Sequence, residues 1–355
     1  MRLEKLQDFV CKHIFYIALY ISITALLYDV TGFFTIKLPD YVWIMLDVLD
    51  FVTVDLNFFN NEFFTLTIGE SGLYYKSVLN PLYILLFLTG AIIYKVSQHK
   101  ENRLLDFSFS ILFISSVLGA IQFIMQMSVD IFVNNLDFFK YYSLPALLLF
   151  IVKLSVVLFV SYVYLKKSYL LKKRIPLEEN YVKIYLNNSD DTNLLKVERA
   201  TKWQRFVHYV IDGFLIFLIF SKYIFVMPSF ISYTLYTFGD HLATFVLYFM
   251  VSTFYYVFFE GILKTTPGKY LMNTSVVSYK DENVSFGQII GRTLCRRIPF
   301  EAFSFFGSLG WHDQLAKTTV VKHEADKKYE RMITITLSIA GLILLITAIF
   351  NLIAY

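Results

Sequence analysis

The chain has 355 residues, 57% of them hydrophobic and only 17% charged, with a mean hydropathy of +0.56. Soluble domains are roughly 45–50% apolar and about 25% charged, so an ordinary water-soluble fold is excluded. The net charge of +4 is spread over several loops, as membrane topology requires, and does not form a nucleic-acid surface.

About seven apolar runs approach the ~20 residues that cross a hydrocarbon core. They are Ile14–Ile36, Pro81–Val96, Phe107–Met127, Leu144–Leu165, Phe206–Phe225, Leu242–Leu263 and Ile333–Ile353. The first has the length of a full span and no small-residue cleavage site after it, so it is expected to stay in place. The expected fold is an all-α polytopic membrane protein with a small cytoplasmic β element.

Basic residues alternate between loops. Arg2, Lys5 and Lys12 precede the first span, Lys95, Lys100 and Arg103 follow the second, and a dense run from Lys166 to Lys202 follows the fourth. The intervening loops are poor in Lys and Arg, and the first of them is acidic, with Asp40, Asp47, Asp50, Asp55, Glu62 and Glu70. The positive-inside rule then places the N-terminus in the cytoplasm and the C-terminus outside, in a cell (inner) membrane. Cys11 and Cys295 both fall on the cytoplasmic side, where neither a disulfide nor a cysteine metal site is expected.

Tyr41–Ile68 carries too many acids for lipid and reads as an extracytoplasmic cap or interfacial helix. Ser285 and Gln288 form a capping-box pattern that starts a helix running toward Phe306, with Pro299 as a break. Arg292 and Arg296 share one face of it, while Ile289, Ile290, Leu294 and Ile298 supply an apolar side. Such a helix lies in the cytoplasmic interface with its arginines toward anionic headgroups, or packs on the protein's own core; the two are compatible. Thr274–Tyr279 and Thr318–Val321 are β-branched runs expected to pair, and Tyr181–Leu186 alternates more weakly.

Three clusters occur in order along the second half: Trp203-Gln204-Arg205-Phe206 through Ile211-Asp212, then Glu260 with Thr266-Pro267-Gly268-Lys269, then Arg292 to Arg297 leading to His312-Asp313-Gln314-Leu315-Ala316-Lys317-Thr318-Thr319-Val320-Val321. Together they resemble the RDD family of integral membrane proteins over residues 198–323. The resemblance maps that family's arginine to Arg205, its first aspartate to Asp212 and its second to Asp313. It implies a membrane module and, from some members, a hint of cation/proton exchange. The chain then divides into a four-span bundle (1–166), a cytoplasmic linker (167–197), the RDD-like module (198–323) and a closing span (324–355).

Asp212 is the most informative residue, because a carboxylate at the centre of a spanning helix costs roughly 2.5–3.5 kcal/mol. It has two readings: it caps or pairs with a group of the cytoplasmic module and locks helices, or it binds a proton or small cation. Glu260 lies at a comparable depth, and either joins Asp212 in a cation site or pairs with Arg205, Lys264 or Lys269. Asp313 completes the set of ion-binding candidates. Arg205, Lys269, Arg292, Arg296 and the intramembrane Lys153 form the expected structural charge network, Lys153 having Asp29 or Asp130 as candidate partners, or Asp212 if the two modules pack side by side. The turn Thr266–Lys269 lacks phosphate-loop spacing and reads as a sharp helix exit, with Gly268 allowing a left-handed conformation. No metal-ligand spacing, catalytic triad or cofactor motif is present, so neither an enzyme nor a cofactor is expected. The functional expectation is a transporter of small ions with Asp212 titrating; the alternative is a membrane scaffold or accessory subunit whose Arg and Asp residues are structural.

Overall fold

The computed structural model describes residues 2–33, 39–51, 65–67, 75–132, 144–173, 199–223, 235–237, 239–278, 284–298, 310–323 and 327–354. In chain order the named elements are α1 (Arg2–Phe33), α2 (Asp40–Leu49), β1 (Thr65–Thr67), β2 (Tyr75–Ser77), α3 (Leu79–Val96), α4 (Arg103–Phe132), α5 (Leu144–Lys173), α6 (Lys202–Tyr223) and α7 (Asp240–Phe258). A π-helical turn (Phe259–Leu263) comes next, then α8 (Pro267–Leu271), β3 (Thr274–Ser278), α9 (Phe286–Cys295), α10 (Trp311–Leu315), β4 (Thr318–Lys322) and α11 (Lys327–Ala354).

Seven of these helices are long and apolar enough to cross a membrane: Lys5–Thr31, Leu79–Val96, Arg103–Met125, Leu144–Ser168, Lys202–Ser221, His241–Leu263 and Lys328–Asn351. They coincide with the seven apolar runs of the sequence. The first helix starts earlier than its apolar run, at Arg2, because its polar N-terminal turns also form helix. Among the described residues of Tyr41–Ile68, α2 is helical and Thr65–Thr67 forms a strand paired antiparallel with β2. The weak strand expected at Tyr181–Leu186 lies outside the described residues, as does the chain beyond Ile298 toward Phe306.

Two compact units emerge, one of residues 1–165 with 327–355, the other of residues 166–326. In the first, α3 packs against α1, α4 and α11. Ile14, Ala18, Ile21 and Ala25 line the buried face of α1, and Phe87 meets Phe109 edge-on at 5.0 Å between ring centroids. Small residues set the spacing here: a Cβ on Gly90 would stand 3.0 Å from the backbone nitrogen of Leu105.

In the second unit, α6 packs against α7 and α8, and α9 packs against α7 and α10. β3 and β4 form the expected antiparallel pair, with Val276 opposite Val320. Val276 of β3, Ile289 of α9 and Val284 form one apolar cluster. The capping box at Ser285 is complete: its hydroxyl accepts from the Gln288 amide, and the Gln288 side chain accepts from the Ser285 amide. That box starts α9 where the sequence placed a helix start.

Candidate functional site

The second unit turns its charges inward. On α6, Arg205, His208 and Asp212 recur at intervals of three and four and are all buried, whereas Phe206, Tyr209 and Val210 are exposed. This is the reverse of a water-soluble surface helix. Asp212 is wholly buried and its carboxylate is held by three neutral donors. The Tyr255 hydroxyl donates to Oδ1 at 2.8 Å, the Gly268 amide donates to Oδ1 at 2.9 Å, and the Thr266 hydroxyl donates to Oδ2 at 2.6 Å.

Those donors explain the Thr-Pro-Gly-Lys motif. Thr266 is the N-cap of α8, accepting from the Lys269 amide, and Pro267 occupies the first helical position, where its missing N–H costs nothing. Asp212 therefore sits at the N-terminal end of α8, where free amides and the helix dipole favour a negative group. The expected role of Gly268 is corrected. Positive φ belongs to Lys264, at 60°, and Gly239 is the described glycine in that region. What Gly268 supplies is close approach: a Cβ there would stand 2.6 Å from the His208 carbonyl oxygen and 2.8 Å from Asp212 Oδ1.

Glu260 lies in the π turn that ends α7, and cations from α8 and α9 hold it there. The wider turn leaves Phe259, Glu260 and Leu263 all buried. Glu260 Oε1 accepts from Lys269 Nζ and, at 2.7 Å, from Arg296 Nη2, while Oε2 lies 3.5 Å from Arg292 Nε. Arg296 also lies over the Tyr256 ring, 3.9 Å from its centroid. Arg292 Nη1 donates to Asp313 Oδ1 and, at 2.8 Å, to the Thr318 hydroxyl. Asp313 Oδ2 lies 3.7 Å from Arg205 Nη1, and His312 Nε2 stands 3.7 Å from Oδ1. The result is one continuous buried chain from Arg205 through Asp313, Arg292 and Glu260 to Lys269 and Arg296.

Four cations thus surround two carboxylates, Asp313 and Glu260, while Asp212 is held by neutral donors. Burial alone pushes the Asp313 carboxyl up, but Arg292, His312 and Arg205 outweigh it and hold the group below the ordinary carboxylate range. Lys269 moves the other way. Burial and the repulsion of Arg296 and Arg292 pull it down to about 8, although Glu260 and Asp212 favour its charge. Arg296 stays charged, its guanidinium pushed above its usual value by Glu260 against the cost of burial.

Seven of the eight residues singled out in the sequence meet in this unit: Asp212, Glu260, Asp313, Arg205, Lys269, Arg292 and Arg296. Lys153 is buried in α5 within the other unit. The side chain of Asp130, one of its expected partners, lies outside the described residues. Tyr255 was missed, and Thr266, Thr318 and His312 were read only as motif members, without the contacts they make here. A Thr-Pro pair is a helix-start signal and could have revealed the cap at Thr266. Nothing local marks Tyr255, which reaches Asp212 from 43 residues away. His208 is also buried and, among the described residues, its Nδ1 has no hydrogen-bond partner. No group of three or more His, Cys, Asp or Glu side chains among the described residues is placed to hold a metal.

Seven bilayer-length helices and an inward-facing charge network define the class as a polytopic helical protein, consistent with a multi-pass membrane protein. The RDD family model matches residues 199–354, consistent with an RDD family membrane protein. That match runs past His323 and takes in α11, which the motif resemblance did not reach. No curated protein and no solved structure matches the chain.

Proposed function

We propose that this chain is a non-transporting membrane scaffold or accessory subunit whose Arg and Asp residues hold the second unit together. It would reside in a cell (inner) membrane with its N-terminus in the cytoplasm and its C-terminus outside, and would contact lipid at the cytoplasmic face. The carrying observation is the set of three fixed donors on Asp212. Tyr255, Thr266 and Gly268 hold both of its oxygens, and the group joins α6, α7 and the start of α8. A carboxylate committed to three fixed donors suits a lock between helices better than a site that must release its ligand each cycle. The ion pairs of Glu260 and Asp313 support the same reading, since each acid is already neutralised by protein cations.

One observation favours the second reading, a cation/proton exchanger with Asp212 titrating. Asp212 is held by neutral donors, whereas Glu260 and Asp313 are held by cations. Asp212→Asn separates the two. As a lock, the variant loses about 1–3 kcal/mol of stability, because an amide nitrogen replaces one acceptor and meets the Thr266 hydroxyl. This appears as a lower thermal midpoint in detergent, while parent proteoliposomes dissipate a pH gradient no faster than protein-free vesicles when sodium or potassium is added. Gradient dissipation by the parent that Asp212→Asn abolishes, with normal expression and an unchanged midpoint, would establish the exchanger and end the scaffold reading.

A further inference from the structure

α9 presents the wrong face for a helix in water. Phe286, Ile290, Leu294 and Ile298 recur every four residues along α9 and the turn after it, and are 61%, 37%, 49% and 38% exposed. Its inner face holds Ile289, Thr293 and Arg292, each 1% exposed. The arginines that the sequence offered to anionic headgroups turn inward instead, Arg292 onto Asp313 and Glu260 and Arg296 onto Glu260. An apolar stripe left outside in this way marks a contact surface.

The stripe continues a surface already suited to lipid. The Phe286 ring lies over Gly261 in the π turn, where an added Cβ would stand 3.7 Å from Cε2. Ile262 beside it is exposed, as are Phe254 and Met250 further back along α7. Trp203, stacked with Phe206 at the start of α6, and Trp311 of α10 are exposed as well. Tryptophan is enriched at the boundary between hydrocarbon and headgroups. At the C-terminal end of the stripe, Arg297 lies 5.3 Å from the Phe249 ring centroid.

We infer that α9 is an inverted interfacial helix: its Phe286–Ile298 stripe is embedded among the lipid acyl chains of the leaflet where α6 begins and α7 ends. The occupant of this face is hydrocarbon, not an anionic headgroup and not a protein. The inference rests on the membrane reading but on neither the lock nor the exchanger, and it names the part of the lipid that α9 engages.

The test uses the full chain with Trp43→Phe, Trp203→Phe, Trp311→Phe and Ile290→Trp, in vesicles of phosphatidylcholine and phosphatidylglycerol. A helix lying at the acyl boundary places Trp emission within reach of bromines high on the acyl chains, so such lipid should dim it about threefold, while aqueous iodide leaves it unchanged. The same dimming is expected in phosphatidylcholine alone, because acyl contact needs no headgroup charge. Leu294→Trp, one turn on, must give the same pattern, which guards against local distortion at the first position. Quenching by iodide instead would put the face in water. Quenching by neither agent would mean that protein covers it, and bromolipid quenching that vanishes without phosphatidylglycerol would restore headgroup binding. Each of these three results overturns the inference. None of them depends on flux or on the stability of Asp212→Asn, so its failure is distinct from failure of the proposed function.

Discussion

The two units bury charge by different routes. In the first, Glu101 and Arg103 are two residues apart, and Arg103 Nε and Nη2 meet the two carboxylate oxygens at 2.8 and 2.9 Å. The backbone amide of Arg103 joins them at 3.1 Å. That pair closes within one turn of chain and needs no other element. In the second unit Glu260 reaches Arg296 across 36 residues, and Arg292 reaches Asp313 across 21. Its charges are satisfied only when the π turn, α8, α9 and α10 are all in place. A buried charge without its partner costs several kcal/mol, so the second unit should assemble as a whole, whereas loss of the Glu101–Arg103 pair should damage the first only locally.

Arg292→Met should do the greatest harm. It leaves Asp313 and Glu260 each short of a cation, with an expected loss of about 3–5 kcal/mol. The check is the thermal midpoint in detergent together with elution as a single species. Arg292→Lys should rescue little, because a point charge does not span two carboxylates as a guanidinium does. A parent-like midpoint in Arg292→Met would mean that long-range ion pairs do not hold the second unit. Gly268→Ala ranks second. Its Cβ meets the backbone carbonyl of His208 at 2.6 Å, so α8 must retreat from α6 and loosen Asp212. Overpacking of this kind costs about 1–3 kcal/mol, read as a shift in denaturation midpoint. In the first unit, Glu101→Gln should cost less, about 1.5 kcal/mol, since Arg103 keeps one acceptor and no other element is disturbed. A loss as large as that of Arg292→Met would erase the distinction between local and long-range pairing.

The spans, the β pair and the start of α9 were legible because each rests on local chemistry: apolar length, β-branched runs, a capping box. The identity of the charged residues was legible too, since Asp212, Glu260, Arg292 and Arg296 stand out against apolar neighbours. Their pairing was legible only in part: Lys269 was among the partners offered to Glu260, and the two meet. Arg205 reaches Asp313 and leaves Asp212 to neutral donors, and that choice is made by where α8 and α10 fold back. The face of α9 was also hidden. Sequence spacing places Ile289 and Ile290 on one apolar side, but burial separates them, because Arg292 must turn inward to meet two acids. Gly268 misled for a related reason. A glycine after proline suggests a left-handed turn, whereas here the missing side chain matters for the backbone it touches.

Charges within the second unit are not equal, and Lys269 should be the one it misses least. Glu260 keeps Arg296 at 2.7 Å and Arg292 at 3.5 Å when Lys269 is removed. The lysine is itself crowded by those arginines and by burial, which bring its proton affinity down to about 8. Removing one partner of a buried pair is costly because it strands the other charge, but here Glu260 keeps two guanidinium partners and is not stranded. Lys269→Met is therefore expected within about 1 kcal/mol of the parent at neutral pH. Its signature lies in alkali. The folded parent sheds this proton near pH 8, but an unfolded lysine keeps it to about 10.4. Between those values the unfolded chain binds more protons, so the parent gains stability as pH rises. Lys269→Met should lack that rise. Thermal midpoints of parent and variant taken from pH 7 to 10.5 decide it, and parallel curves would show that Lys269 is held by Glu260 as firmly as the arginines are.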